Sequence, residues 1–136
     1  MITLGDYFKT AEDLRTPESE KLASVLLERV NALLDYLLKY HGIPRKINPR
    51  TGGEISGNGS GGGGARRKDC KEGSALSSHK TFMGIDITDP DNSKDAVISD
   101  IMLLKFDLYR EHPSKSLGWV HLTTRSPASG KRTFIP

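Results

Sequence analysis

The sequence predicts an α+β domain in which a long N-terminal helix and a second helix pack on a small antiparallel sheet. Three observations carry that prediction. Apolar residues recur at helical spacing through "SEKLASVLLERVNALLDYLLKY", while the short runs "GIDIT" and "WVHLT" alternate with the period of two that a half-buried strand requires. The segments run helices, loop, strand, helix, then strands, which is not the regular alternation of a parallel α/β fold. At 136 residues the chain has the size of one domain with one core, so residues 1–136 are read as a single unit.

Taken in order, "LGDYFKTAEDL" predicts a short turn of helix from Asp6 that packs Leu4, Tyr7 and Phe8 onto the long helix. Thr16 suits the N-cap of that long helix and Pro17 its first position, while Glu18 and Glu20 sit where the positive end of the helix dipole favours acids. Leu22, Val25, Leu26, Val30, Leu33, Leu34, Leu37 and Leu38 form its core-facing stripe. Gly42 can take the left-handed closing conformation, and Pro44 forbids continuation. A short strand is expected over 45–50. Residues 51–74 then carry nine of the fourteen glycines and almost no apolar side chain. That composition predicts a long mobile loop, of the kind that serves as a lid or is a disordered insertion. A second helix, capped by Asn92 or Ser93, is expected through "KDAVISDIMLLKFDLYREH". Val97, Ile98, Ile101, Leu104, Phe106 and Leu108 would be its buried face and Pro113 its end. "LGWVHLTTR" and "KRTFIP", separated by "SPASG", read as a closing hairpin.

Composition excludes several classes. A formal charge of +3 is slight for this length. No run approaches the roughly 18 apolar residues of a membrane helix, and "MITLGDYFKT" lacks the layout of a signal peptide, so the expectation is cytoplasmic synthesis with no membrane partner. A single cysteine, Cys70, excludes an internal disulfide and every Cys-pair zinc pattern. The basic run Arg66, Arg67, Lys68 reads first as a solvated charge cluster and second as a contact for an anionic polymer. No aromatic platform accompanies it, which argues against nucleic acid.

Strand parity points to a site. In "GIDIT" Ile85 and Ile87 face one way and Asp86 the other; in "WVHLT" Val120 and Leu122 face one way and Trp119, His121 and Thr123 the other. Each strand thus offers one potential ligand, and His79 lies far enough before the first strand for the chain to bend its ring to the same place. Two imidazoles and a carboxylate are a set with which zinc enzymes leave a coordination position open. An aspartate on a strand otherwise made of core residues also needs a partner, and a cation would serve. His41 and His112 both fall at expected helix C-termini, where a positive charge is welcome.

The run Ser77, His79, Asp86 and the later Trp119, Val120, His121 resemble the paired motifs of the zinc-dependent D-Ala-D-Ala carboxypeptidases. That family includes VanX/VanY-type peptidases and phage L-Ala-D-Glu endolysins. It places Ser-x-His seven residues before an Asp that an Ile follows, and a Trp-x-His on a later strand; here Phe82 stands at an expected Gly and Gly84 at an expected Ala. The resemblance covers most of the chain and implies a Hedgehog/D-Ala-D-Ala peptidase-like fold. It makes His79, Asp86 and His121 the Zn2+ ligands, with Ser77 and Trp119 beside them. Arg50 is the best match for the arginine that balances carboxylate or oxyanion charge. The partner it implies is a peptidoglycan stem peptide, met in the cell wall after lysis or from a phage particle. One departure bears on activity. The family's general base, a Glu or Asp three residues before the last His, is replaced by Gly118, so either Asp89, Glu111 or a loop acid substitutes or the chain is an impaired, wall-binding relative.

Overall fold

In the computed structural model of the chain, which describes residues 1–57, 63–67 and 77–135, helix α1 spans Leu4–Phe8 and helix α2 spans Pro17–His41. α1 begins ahead of the expected Asp6 because Thr3 and Asp6 cap each other's backbone, the Thr3 hydroxyl accepting from the Asp6 N–H and the Asp6 carboxylate from the Thr3 N–H. Thr16 caps α2, and Gly42 closes it at φ +65° with its N–H on the carbonyls of Leu37 and Leu38. The buried stripe of α2 is centred on Ala23, Leu26, Leu27, Val30, Leu33, Leu34 and Leu37. Leu22, Val25 and Leu38, expected to be part of it, are 43%, 41% and 47% exposed. They flank the stripe, and with one face covered a helix buries little more than a 100° sector.

The expected second helix is broken in two: α3 at Ser93–Val97 and α4 at Asp100–Phe106. Ile98 is extended, and Ser99 starts a new helix by accepting from the Met102 N–H with its hydroxyl. A serine in that position competes with the continuing helix for backbone hydrogen bonds. The break changes the phase of burial, so that Ile98, Leu103 and Leu108 enter the core while Ile101 and Leu104 stay on the surface. Asp107, at φ +53°, ends α4, and Pro113 opens a single 3-10 turn instead of ending a helix.

Four strands follow in the order β1, β3, β2, β4 across one sheet: β1 is Gly84–Thr88, β2 Tyr109–Glu111, β3 Trp119–Thr123 and β4 Thr133–Phe134. β3 is antiparallel to both β1 and β2. The expected closing hairpin does not form. β4 pairs in parallel with β2, through Arg110 with Thr133 and Glu111 with Phe134, so β2 separates the two runs. The strand expected at 45–50 is also missing, the only pairing there being an isolated bridge from Asn48 to Gly53 that closes a turn. Ile85, Ile87, Val120 and Leu122 fill the core side of the sheet. No described helix is long and apolar enough to cross a membrane.

Parts of the glycine-rich stretch are built into the sheet edge. Thr88 N–H donates to Glu54 O, Ser56 N–H to Asp86 O and Asp86 N–H to Gly63 O, each within 2.9 Å. A Cβ on Gly64 would strike the Tyr7 carbonyl, so glycine is what allows this segment to lie between α1 and β1. Residues 51–57 and 63–67 are therefore packed structure and no open lid. The remainder of the expected loop, with Lys68 and Cys70, lies outside the described residues.

On the core side Arg110 of β2 reaches Asp95 of α3, donating from Nη1 to the Asp95 carbonyl at 3.1 Å and lying 3.4 Å from Oδ1. Burial pushes the Asp95 carboxyl up to about 6, against the pull of Arg110 and with the charge of Asp89 adding to the rise. A carboxyl raised above its unfolded value stabilises the fold most when protonated. Its contribution is therefore complete below about pH 4 and is lost as pH rises through about 6, a change on the order of 2–3 kcal/mol at 1.36 kcal/mol per unit. Comparison of urea unfolding for the wild type and Asp95→Asn from pH 4 to 7 should show the variant gaining relative stability as pH rises. A constant difference would show that Asp95 titrates alike in the folded and unfolded chain.

Candidate metal centre

Antiparallel pairing of β1 with β3 sets Asp86 directly opposite His121 on the face away from the core. His79 arrives from the turn that precedes β1. The Asp86 Oδ1 atom lies 2.8 Å from His121 Nδ1 and 3.2 Å from His79 Nε2, and the two imidazole rings stand 5.0 Å apart. All three side chains are buried, and one ligand atom from each lies within 4.8 Å of the others. Among the described residues this buried His–Asp–His group could hold a metal ion.

The remaining ring nitrogens are occupied. His79 Nδ1 is 2.9 Å from the Gly64 carbonyl, and His121 Nε2 is 3.2 Å from Ser78 Oγ. His79 consequently faces a hydrogen-bond acceptor with each nitrogen. A neutral imidazole carries one N–H, so one lone pair would point at an acceptor; a positive charge between His79 Nε2 and Asp86 Oδ1 removes that conflict. Burial works to raise the Asp86 pKa, yet attraction to His79 and hydrogen bonds from His121 and His79 outweigh it and hold the carboxyl well below its usual range. The group thus offers an ionised oxygen and two nitrogens, the donor types that zinc accepts.

A cleft of about 570 Å³ opens over these residues. Ser77 and Trp119 line it, the Ser77 hydroxyl also accepting from the His79 N–H. Glu111 lines it as well. Continuing the β2–β3 register past Arg110 and Leu122 places Glu111 beside His121, on the same face as Asp86. Its carboxyl is raised by burial and by the Asp86 charge against the lowering influence of the two histidines and Arg66.

Other expected residues lie elsewhere. Arg50 is exposed in the Asn48–Gly53 turn, its backbone N–H donating to Asn48 Oδ1, and takes no part in lining the cleft. Arg66 does so instead, with Nη2 3.4 Å from Asp86 Oδ2 and a side chain only 11% exposed. The solvated-cluster reading therefore fails for Arg66, while Arg67 pairs with Asp13 through both Nη atoms. Asp89 is fully buried and faces α3: its carboxylate accepts from the N–H groups of Lys94 and Asp95. Gly118 holds φ +90°, its carbonyl accepting from the Asp89 N–H and its own N–H donating to Asn92 Oδ1, outside the cleft lining. Of the two other histidines, His41 ends α2, whereas His112 caps the 3-10 turn after β2 by accepting from Ser114 N–H.

Ser78, Gly64 and Arg66 were not marked as site residues by the sequence. No local pattern distinguishes Arg66 from its basic neighbours, and a glycine that lends a carbonyl has no side-chain signature. Comparison with family models, with curated proteins and with solved structures returns no match to this chain. What the fold and the site define is therefore a class: an α+β sheet with a His–Asp–His group, suited to a metal ion, at the base of a polar cleft.

Asp89 and the His–Asp–His group are separable. Asp89→Ala leaves two backbone donors of α3 without their carboxylate and should cost about 1–3 kcal/mol in denaturant unfolding. Zinc binding by the folded fraction should be unchanged. Loss of zinc binding without loss of stability would reverse that assignment.

Proposed function

We propose that the chain is a zinc metallopeptidase that acts on the peptide stems of bacterial peptidoglycan, with His79, Asp86 and His121 as the zinc ligands. The observation that carries the reading is the convergence of two imidazoles and an ionised carboxylate in a buried group whose His79 ring faces acceptors on both sides. The resemblance to the carboxypeptidase and endolysin motifs supplies the substrate class. It gains support from Phe82, which occupies the family's glycine position and holds φ +62°, a conformation glycine adopts freely and other residues rarely do.

A zinc ion in this group supplies a Lewis acid for a scissile carbonyl and makes water nucleophilic near neutral pH. The chain's own residues provide the rest. Glu111, on the strand next to His121 and in the same cleft, takes up a proton at its carboxylate and returns it to the leaving amine, the role that Gly118 cannot fill. Its raised pKa suits a group that must be both base and acid. Arg66 balances negative charge at the substrate, as was expected of Arg50. Trp119 and Phe134 form apolar wall along which a short peptide can lie. This arrangement favours an active enzyme over an impaired wall-binding relative, reached at the wall after lysis or from a particle.

Purified protein should retain one zinc per chain, and His79→Ala, Asp86→Ala or His121→Ala should each abolish tight binding. Incubation with wall fragments should release stem-peptide products detectable by mass spectrometry. Glu111→Gln should lower kcat by about a hundredfold or more with zinc still bound, the usual range for a general acid or base. Zinc binding without hydrolysis by the wild type would support the wall-binding alternative, and stoichiometric zinc on His121→Ala would reject the ligand set.

A further inference from the structure

The two imidazoles of the metal group are held in different ways. His79 faces an acceptor with each nitrogen, the Gly64 carbonyl at Nδ1 and Asp86 Oδ1 at Nε2, so a metal at Nε2 leaves the proton of a neutral ring on Nδ1, against Gly64. His121 is the reverse case. Its Nδ1 is 2.8 Å from Asp86 Oδ1, which also only accepts, and this places the proton of the metal-free ring on Nδ1. Yet Nδ1 is the nitrogen that converges with His79 Nε2 on Asp86, and a metal there must displace that proton.

The partner of the other nitrogen resolves this. His121 Nε2 faces Ser78 Oγ at 3.2 Å, and a hydroxyl, unlike a carbonyl or an ammonium, donates or accepts by rotating about its C–O bond. Ser78 is itself fixed in place. It is buried, its carbonyl accepts from the N–H of Met83 and Thr81, and its side chain occupies the space that a Cβ on Gly84 would need.

We propose that Ser78 is a positioning residue for the metal centre, whose hydroxyl lets His121 exchange tautomers and coordinate through Nδ1. This inference rests on the zinc reading of the same group. In the metal-free chain Ser78 O–H donates to Nε2 while Nδ1–H donates to Asp86. When zinc binds, the Nδ1 proton passes to solvent and Nε2 takes one from solvent, so the ring stays neutral. The Ser78 hydroxyl then turns to accept from Nε2–H. Alanine at this position keeps the packing volume close to that of serine but can serve neither state, leaving the ring unheld at its far nitrogen. Loss of such a partner typically weakens metal binding by about 10- to 100-fold.

Long-range proton–nitrogen spectra of the imidazoles in 15N-labelled protein, recorded without metal and with one equivalent of zinc, test the proposal. In the zinc-loaded wild type His79 should carry its proton on Nδ1 and His121 on Nε2, with the His121 Nε2 proton exchanging slowly with water. In Ser78→Ala that proton should exchange fast, and competition with a zinc chelator should show at least about tenfold weaker affinity. Coordination of zinc through His121 Nε2, or unaltered affinity in a folded Ser78→Ala, would overturn the role of Ser78 alone. A wild type that binds no zinc would overturn both this proposal and the metal centre. Should Ser78→Ala not fold, the wild-type spectra carry the test, and fast exchange of the His121 Nε2 proton in the zinc-loaded protein would overturn the role of Ser78.

Discussion

The antiparallel register that sets Asp86 opposite His121 fixes more of this molecule than any other contact. Strand side chains alternate, so one pairing decides both what the sheet buries and what it presents. With Asp86 on His121, Ile85 meets Leu122 and Ile87 meets Val120 on the core side. A slip of one residue would put the isoleucines in the cleft and the aspartate in the core, where an unpaired charge is costly. The hydrophobic pattern and the polar group therefore enforce the same alignment. The site sits at the place where the sheet is most strongly specified.

The neighbouring strand extends the same logic across the sheet. Arg110 and Glu111 are adjacent in β2, yet parity sends them to opposite sides. Arg110 enters the core side to meet Asp95 of α3, and Glu111 enters the cleft beside the His–Asp–His group. Two charge systems thus share one sheet without meeting. On the core side the compensation is incomplete, since Asp95 Oδ2 and Arg110 Nε find no hydrogen-bond partner among the described residues. On the cleft side Asp86 is surrounded by two imidazoles and Arg66, and it is the more fully compensated of the two acids.

Close approach of backbones makes the cleft side possible. The 63–66 segment threads between α1 and β1, taking the Asp86 N–H on Gly63 and holding His79 with the carbonyl of Gly64. Tyr7 ties the same corner from the helix side by donating to the Gly84 carbonyl. Side chains at Gly63, Gly64 or Gly84 would collide with Ser56, Tyr7 or Ser78 respectively. Gly63 and Gly64, which by composition belonged to a loose loop, are what lets that segment become the wall of a site.

By itself the sequence determined the features that depend on near neighbours. The bounds of α2 follow from Thr16, Pro17 and Gly42, and the inward and outward faces of "GIDIT" and "WVHLT" follow from a period of two, so that His79, Asp86 and His121 could be named as a group. A one-residue cap such as Ser99 was also written there, but the apolar pattern across it read as one continuous helix. Tertiary structure alone decided which distant segments meet. It inserted β2 between two runs that composition joined as a hairpin, brought Glu111 and Arg66 to the cleft, and left Arg50 in an exposed turn and Asp89 beneath α3. The physical reason is that a charged residue's role is set by the partners that surround it after folding, whereas helix caps and strand parity are set by residues a few positions away.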